Sequence, residues 1–353
     1  MNLKYLKIKN ILCILCVAYF YLKEYYIGYF EDSILWLKQV QILPGFRGSS
    51  CPQWFRCSPW LPRVFCGVIF LWLGSSVSFG ELKVATLHPL LTDLVENVGK
   101  EHVEVVSLLK AGGDPHTFSP SPGDMVRIRD AKIILASGKS LETYLDKLAS
   151  NLAPGQEIFE VGKKIPSIRI EVGELFVCCP AHNQGGLDPH WWHSIANMQR
   201  AARYVGDEFA RLDPENASAY RQNVRTYQKQ LDGLKQWATK TLSAIPRADR
   251  ELVTAHAAFG YFCKEFGFRS IPVQGLDRES DPSPSYLSET IRILKAENAK
   301  AVFPEKLANP KILQSMVHET GIKLAPPLIA DGTSGSFEEM IRHNVSTIAN
   351  ALQ

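Results

Sequence analysis

Four residues of this chain have the type and the surroundings to hold a divalent metal ion: His116, His190, His256 and Asp331. His116 lies in Gly112-Gly113-Asp114-Pro115-His116-Thr117-Phe118 and His190 in Asp188-Pro189-His190-Trp191-Trp192, so Asp-Pro-His occurs at both. Proline fixes its own φ and restricts the residue before it, which presents the following histidine on a stiff loop. The aspartate two residues earlier can take a backbone N–H or orient the imidazole by accepting from it. Three imidazoles and one carboxylate suit Zn2+ in tetrahedral geometry, and they also admit Mn2+, Fe2+ or Cu2+. A lone histidine after a strand is more often a core or capping residue than a ligand. The set of four carries the chemistry, and no single member does.

The elements that must position these residues are legible as alternating short apolar runs and helical patterns. Strands are expected at 84–87, 103–109, 132–136 and 158–161, with helices at 90–98, 123–131 and 141–151 between them. The same grammar restarts near Leu252, with strands at 252–254, 270–273, 301–303 and 323–326 and helices at 261–266, 286–296, 310–320 and 337–352. Such alternation predicts two α/β domains with mostly parallel sheets. His116, His256 and Asp331 each follow an expected strand, where open α/β sheets gather ligands.

An internal echo links the halves. Pro120-Ser121-Pro122 leads to Ala131-Lys132-Ile133, and Pro282-Ser283-Pro284 leads to Ala299-Lys300-Ala301. Between them Asp213-Pro214 reads as an N-cap with proline at the first helical position. Tyr220, Val224, Tyr227, Leu231, Leu234, Trp237, Ala238, Leu242 and Ile245 then form one helical stripe, closed by Pro246. Such a helix spans roughly 39 Å at 1.5 Å per residue, long enough to act as a rigid spine joining the two domains, with the metal site in the cleft between them. The expected divisions are 1–80, 81–213, 214–246 for the linking helix, and 247–353.

Composition narrows the function classes. The chain has 353 residues, 46% hydrophobic and 21% charged, the proportions of a globular protein. Residues 1–80 carry eight Lys/Arg against three Asp/Glu, whereas the remainder carries 31 against 33. That slightly acidic body gives no footprint for nucleic acid. Five of the eight cysteines fall in the first 80 residues, and Cys178, Cys179 and Cys263 have no CxxC spacing. A thiolate zinc cluster is therefore not supported. An oxidising compartment would allow a bridge from Cys178 or Cys179 to Cys263; the other reading is three thiols.

The first 80 residues read as an export signal behind an extension. Arg63, the apolar Val64–Leu73 and the small residues Gly74-Ser75-Ser76-Val77-Ser78-Phe79-Gly80 have the order of a secretory signal peptide. No methionine occurs between Met1 and Met125, so residues 1–60 are read as an over-extended gene model with initiation near Leu61. The 12-residue run Ile11–Leu22 is shorter than the roughly 20 residues of a spanning helix; its competing reading is a signal or anchor. No cysteine closely follows the second apolar run, so no lipid anchor is expected.

Taken in order, several motifs resemble the zinc- and manganese-type family of ABC-transporter solute-binding proteins, over essentially all of residues 82–352. They are Pro89-Leu90; Gly113-Asp114-Pro115-His116-Thr117-Phe118-Ser119-Pro120-Ser121-Pro122; Asp188-Pro189-His190-Trp191-Trp192; Leu212-Asp213-Pro214-Glu215-Asn216; Thr254-Ala255-His256-Ala257-Ala258-Phe259-Gly260-Tyr261-Phe262; Val302-Phe303-Pro304-Glu305; and Asp331. The resemblance implies that His116, His190, His256 and Asp331 are the four ligands, in that order. It implies a monomeric periplasmic protein that delivers its ion to a membrane permease driven by a cytoplasmic ATPase. Histidine at the third position, His256, leans toward zinc, since manganese-type relatives tend to carry glutamate there; manganese or iron is the alternative.

Two departures stand out. Trp191-Trp192-His193-Ser194 lacks the usual Leu and Pro and adds a spare imidazole, His193. The segment Val177–Gln184 has a single histidine, His182, where zinc-type relatives often carry a His-rich loop. His88, His318 and His343 are expected to be structural. A zinc hydrolase is disfavoured, because a fourth protein ligand would fill the position a catalytic water needs, and no H-E-x-x-H or G-x-S-x-G occurs. An adhesin or a metal buffer on the same fold is the remaining alternative.

Overall fold

A computed structural model describes residues 81–169, 186–273, 284–297, 299–306, 311–332 and 335–353. The export signal, Cys178, Cys179, His182 and the Pro282-Ser283 part of the echo lie outside the described residues. Cys263 is a buried free thiol among them.

Two four-stranded parallel sheets organise the chain. The first contains β1 (Leu82–Thr86), β2 (Val103–Ser107), β3 (Ile133–Ala136) and β4 (Glu157–Glu160), in the order β2-β1-β3-β4. The second contains β5 (Glu251–Thr254), β6 (Arg269–Pro272), β7 (Ala301–Phe303) and β8 (Lys323–Leu324), in the order β6-β5-β7-β8. The two orders are the same, and the Ala-Lys entries of the sequence echo lead into β3 and β7, which hold equivalent places. All pairings between these strands are parallel, so their connections are crossovers and helices cover both faces.

The helices are α1 (Pro89–Gly99), α2 (Pro122–Arg127), α3 (Leu145–Ala149), α4 (Ile195–Leu212), α5 (Ala217–Leu242), α6 (Gly260–Phe266), α7 (Pro284–Glu297), α8 (Lys311–Thr320) and α9 (Phe337–Leu352). Strand residues alternate between two cores, as the two-residue side-chain period requires. Val84, Ile133, Leu135, Leu252, Ala301 and Phe303 face one continuous core that also takes in Leu231 and Leu234 of α5. Ala85 and Ile134 face a satellite core, and Val253 and Val302 face another. Both sheets thus bury a face in the same apolar mass as the long helix.

The 26-residue α5 buries Tyr220, Val224, Tyr227, Leu231, Leu234, Ala238 and Leu242, the stripe read from sequence. Its start differs from expectation. Pro214–Asn216 forms a separate 3-10 turn with no side-chain cap from Asp213. The Asp213 carboxylate instead accepts from the Tyr220 hydroxyl at 2.7 Å and from Asn216 Nδ2 at 2.8 Å. The 18-residue α4 was absent from the sequence expectations. Its apolar face, including Ile195, Met198, Ala202, Val205 and Phe209, packs along α5, and Gly206 admits Val224. Ser194 caps it by accepting from Asn197 N at 3.1 Å.

Candidate metal centre

Each of the four residues sits on a loop fastened by its neighbours. In the loop after β2, Asp114 Oδ1 accepts the backbone N–H of His116 at 2.9 Å. Asp188 does the same for His190 at 2.9 Å, and the same Oδ1 lies 2.9 Å from His190 Nδ1. Both Asp-Pro-His turns therefore use the aspartate to fix the histidine backbone, and the second also orients the ring. His256 lies two residues past β5, where the Thr254 hydroxyl donates to its carbonyl at 2.8 Å. Asp331 follows Leu328, whose bridge to Glu305 extends the parallel pairing beyond β8. Asn344 of α9 holds the Ile329 backbone on both sides, accepting from its N–H and donating to its carbonyl, each at 2.8 Å.

Those loops bring all four residues together. One donor atom from each of His116, His190, His256 and Asp331 lies within 4.8 Å of every other. His116 Nε2 and His190 Nε2 are 3.3 Å apart, and the three ring centroids are separated by 5.1, 5.2 and 5.7 Å. His190, His256 and Asp331 are fully buried, whereas His116 is half-buried.

Glu305, to which the sequence reading gave no role, is the partner that defines the His256 ring. Its Oε1 accepts the His256 backbone N–H at 3.0 Å, and its Oε2 pairs with Nδ1. An ionised carboxylate accepts, so Nδ1 of His190 and of His256 each donates, and an imidazole protonated at Nδ1 alone offers its lone pair at Nε2. The two rings converge with His116 and Asp331 in a region that also buries Asp188 and Glu305. Three buried carboxylates and convergent lone pairs are an environment a divalent cation satisfies. Glu305 was findable: it follows β7 by two residues, as His256 follows β5.

Aromatic and imidazole rings form the wall behind these four. Tyr261 donates to the Asp188 carbonyl at 3.1 Å and accepts from Ile168 N at 3.1 Å. Trp192 donates from Nε1 to the Ala330 carbonyl at 2.8 Å. His193 is not among the four converging residues; it is fully buried and packs on Phe259 at 4.3 Å between ring centroids. Burial, and then the neighbouring His190, pulls its pKa down to about 3. His88 is the N-cap of α1, accepting from Leu90 N, and burial lowers its pKa to about 4. His318 lies in the last turn of α8, and Nε2 of His343 on α9 bonds the Pro327 carbonyl at 2.9 Å.

Comparison with known proteins agrees with this arrangement. Residues 84–351 match the family model described as zinc-uptake complex component A, periplasmic. The manganese-binding lipoprotein MntA of Bacillus subtilis is 32% identical over 284 residues, covering 77% of this chain and 90% of the relative. The iron-binding protein YfeA of Yersinia pestis is 27% identical over 276 residues, covering 76% and 86%. Among solved structures, the periplasmic zinc-binding protein TroA of Treponema pallidum superposes with a TM-score of 0.68 at 27% identity, covering 77% of this chain and 99% of that one. With its paired parallel sheets and a match spanning most of its length, this chain belongs to the zinc-uptake complex component A family, the substrate-binding proteins of metal ABC transporters.

Proposed function

We propose that the protein captures one divalent transition-metal ion, zinc before manganese or iron, on His116, His190, His256 and Asp331. It then passes that ion to a membrane permease powered by a cytoplasmic ATPase. The observation that carries this is the pair of imidazoles whose Nδ1 atoms are anchored by the buried carboxylates of Asp188 and Glu305 and that converge with His116 and Asp331. Zinc is favoured by three borderline-soft nitrogens. The 3.3 Å between Nε2 of His116 and His190 suits two nitrogens of one ion, since nitrogens about 2.05 Å from a tetrahedral centre stand roughly 3.3 Å apart. Relatives named for manganese, iron and zinc support the broader class of ion.

Capture takes place outside the inner membrane, the destination implied by the signal-like segment before residue 81. No helix among the described residues is long and apolar enough to cross a membrane. Residues 81–213 and 247–353 serve as lobes, and 214–246 as the spine between them. The shared core keeps their relative motion small, so release proceeds by local movement of ligands, His116 being the most exposed of the four. The test is to strip the purified protein of metal and titrate Zn2+, Mn2+ and Fe2+ by calorimetry. One ion per chain, strongest for zinc and lost in His116→Ala and His256→Ala, is expected. Stripped protein that takes up none of the three would refute metal capture, and tighter manganese or iron binding would refute the zinc preference.

A further inference from the structure

Two extended segments meet just before His190, at the antiparallel bridge between Arg169 and Leu187. Next to it Ile168 stands opposite Asp188, and the Asp188 N–H donates to the Ile168 carbonyl at 3.0 Å. In an antiparallel ladder such a pair exchanges two bonds, each N–H donating to the other's carbonyl. Here the second bond runs through a side chain. The Ile168 N–H donates to the Tyr261 hydroxyl at 3.1 Å, and that hydroxyl donates to the Asp188 carbonyl at 3.1 Å. One hydroxyl, acceptor and donor at once, is inserted into the ladder.

That hydroxyl comes from the other half of the chain. Tyr261 is the second residue of α6, buried, and five residues beyond His256. Its neighbour Gly260 packs on Asp188 Oδ2, where a Cβ would stand 2.7 Å away. The start of α6 thus holds Asp188 at two points, Gly260 at the carboxylate and Tyr261 at the carbonyl. Asp188 Oδ1 in turn fixes the backbone N–H and the Nδ1 of His190, each at 2.9 Å. Beyond His190, Trp192 Nε1 donates to the Ala330 carbonyl at 2.8 Å, one residue before Asp331. The His190 turn is therefore fastened to the second half of the chain on both sides.

We infer that Tyr261 is a positioning residue for His190, its hydroxyl setting the Asp188 backbone and, through it, the carboxylate that orients the imidazole. This role rests on the four-residue metal site proposed above. An inserted hydroxyl holds the two backbones farther apart than a direct N–H···O bond would, because two bonds replace one. Without it, the Ile168 N–H and the Asp188 carbonyl either stay unpaired, at a cost, or close on each other. Closing draws Asp188 toward Ile168 and away from α6, and the His190 ring turns with it. Through Tyr261 the segment that carries His256 sets the direction of His190, so the two imidazoles are aligned before an ion arrives.

The experiment uses Tyr261→Phe, which keeps the ring and removes only the hydroxyl. Zn2+ affinity, read by competition with a chromophoric chelator, is expected to fall about tenfold. Tyr227→Phe is the control and is expected to leave affinity unchanged, since that hydroxyl is buried with no hydrogen-bond partner among the described residues. Combining variants separates an effect through Asp188 from general loosening. In Asp188→Asn the further loss from Tyr261→Phe is expected to shrink to within about twofold, whereas in Glu305→Gln, which acts on His256, it persists in full. The same loss in both backgrounds overturns the proposal, as does an unchanged affinity in Tyr261→Phe. Nitrogen NMR of the metal-free protein reads the step without zinc: the His190 Nδ1 proton signal is expected to shift in Tyr261→Phe while that of His256 holds. A His190 signal that stays in place overturns the proposal. Wild type alone supplies a further check, since an Ile168 amide that exchanges as freely as an exposed one also overturns it. Failure of wild type to bind Zn2+ would instead remove the metal site, and the proton signals would still decide whether Tyr261 orients the imidazole.

Discussion

The Asp188 carboxylate rests against the bare α-carbon of Gly260, where a Cβ would stand 2.7 Å from Oδ2. Asp188 orients His190 through its other oxygen, Oδ1, and Gly260 opens α6 in the half of the chain that carries His256. Gly260→Ala is therefore expected to tilt Asp188 and weaken zinc binding about tenfold or more without touching a ligand. Calorimetry checks the affinity, and a circular dichroism spectrum like wild type checks that the fold persists.

Glu305 offers a second test at a distance from the ion. Glu305→Gln keeps the shape but exchanges a full acceptor for an amide, which cannot accept from the His256 backbone and ring equally well. Zinc affinity is expected to fall by about 10–100-fold, with one ion still bound per chain. Zinc titration of the variant reads both numbers, and unchanged affinity would show that His256 needs no such anchor.

Acid should destabilise the metal-free protein through its buried histidines. The folded pKa values of His88 and His193 lie below the ordinary 6.5, at about 4 and about 3, chiefly because of burial. Their unfolded forms take up protons first as pH drops, so stability is lost as pH falls below about 6.5 toward those values. At about 1.4 kcal/mol per pH unit the effect for each is on the order of a few kcal/mol. His193→Leu is expected to flatten that part of the stability curve, measured by urea unfolding from pH 7 to pH 4.5.

Asp93 should respond with the opposite sign. It accepts the N–H of Phe337 at the start of α9 at 3.1 Å, yet burial raises its pKa to about 6. Its folded form binds the proton more tightly, so its stabilising contribution is full below the ordinary 3.8 and lost as pH rises through about 6. Asp93→Asn retains an acceptor for Phe337. The variant is expected to melt higher than wild type at pH 7.5 and nearly the same at pH 4.

The α4–α5 contact is expected to tolerate no added volume. A Cβ on Gly206 would lie 2.4 Å from Val224 Cγ2. Gly206→Val is expected to cost about 1–3 kcal/mol or more by overpacking. Denaturant unfolding of the metal-free protein measures it, with Gly233→Ala, where nothing lies within 4 Å, as the control.

Much of the fold was legible because its elements are local. The central strands β1, β3, β5 and β7 are short, mostly apolar runs, and the α5 stripe repeats in steps of three and four. What the sequence concealed was α4, whose buried face is diluted by the small residues Ala201, Ala202, Gly206 and Ala210. Small residues carry little hydrophobic signal yet permit the close helix contact that makes the element stable. Asp213 keeps the expected cap position before Pro214 but makes no side-chain cap, for a related reason. Its use as a cap depended on local spacing, whereas a hydroxyl seven residues away, on Tyr220, takes the carboxylate.

The site divides along the same line. Residue type and loop chemistry by themselves set which four side chains could meet a metal ion, because Asp-Pro-His and positions after strands are local features. Only the tertiary structure decided that their donor atoms converge, that Glu305 anchors His256 across 49 residues, and that His193 packs on Phe259 beside the four converging residues. Those relations come from two sheets meeting in one core, and the direction of a ring nitrogen depends on partners distant in sequence. No periodicity along the chain encodes that direction.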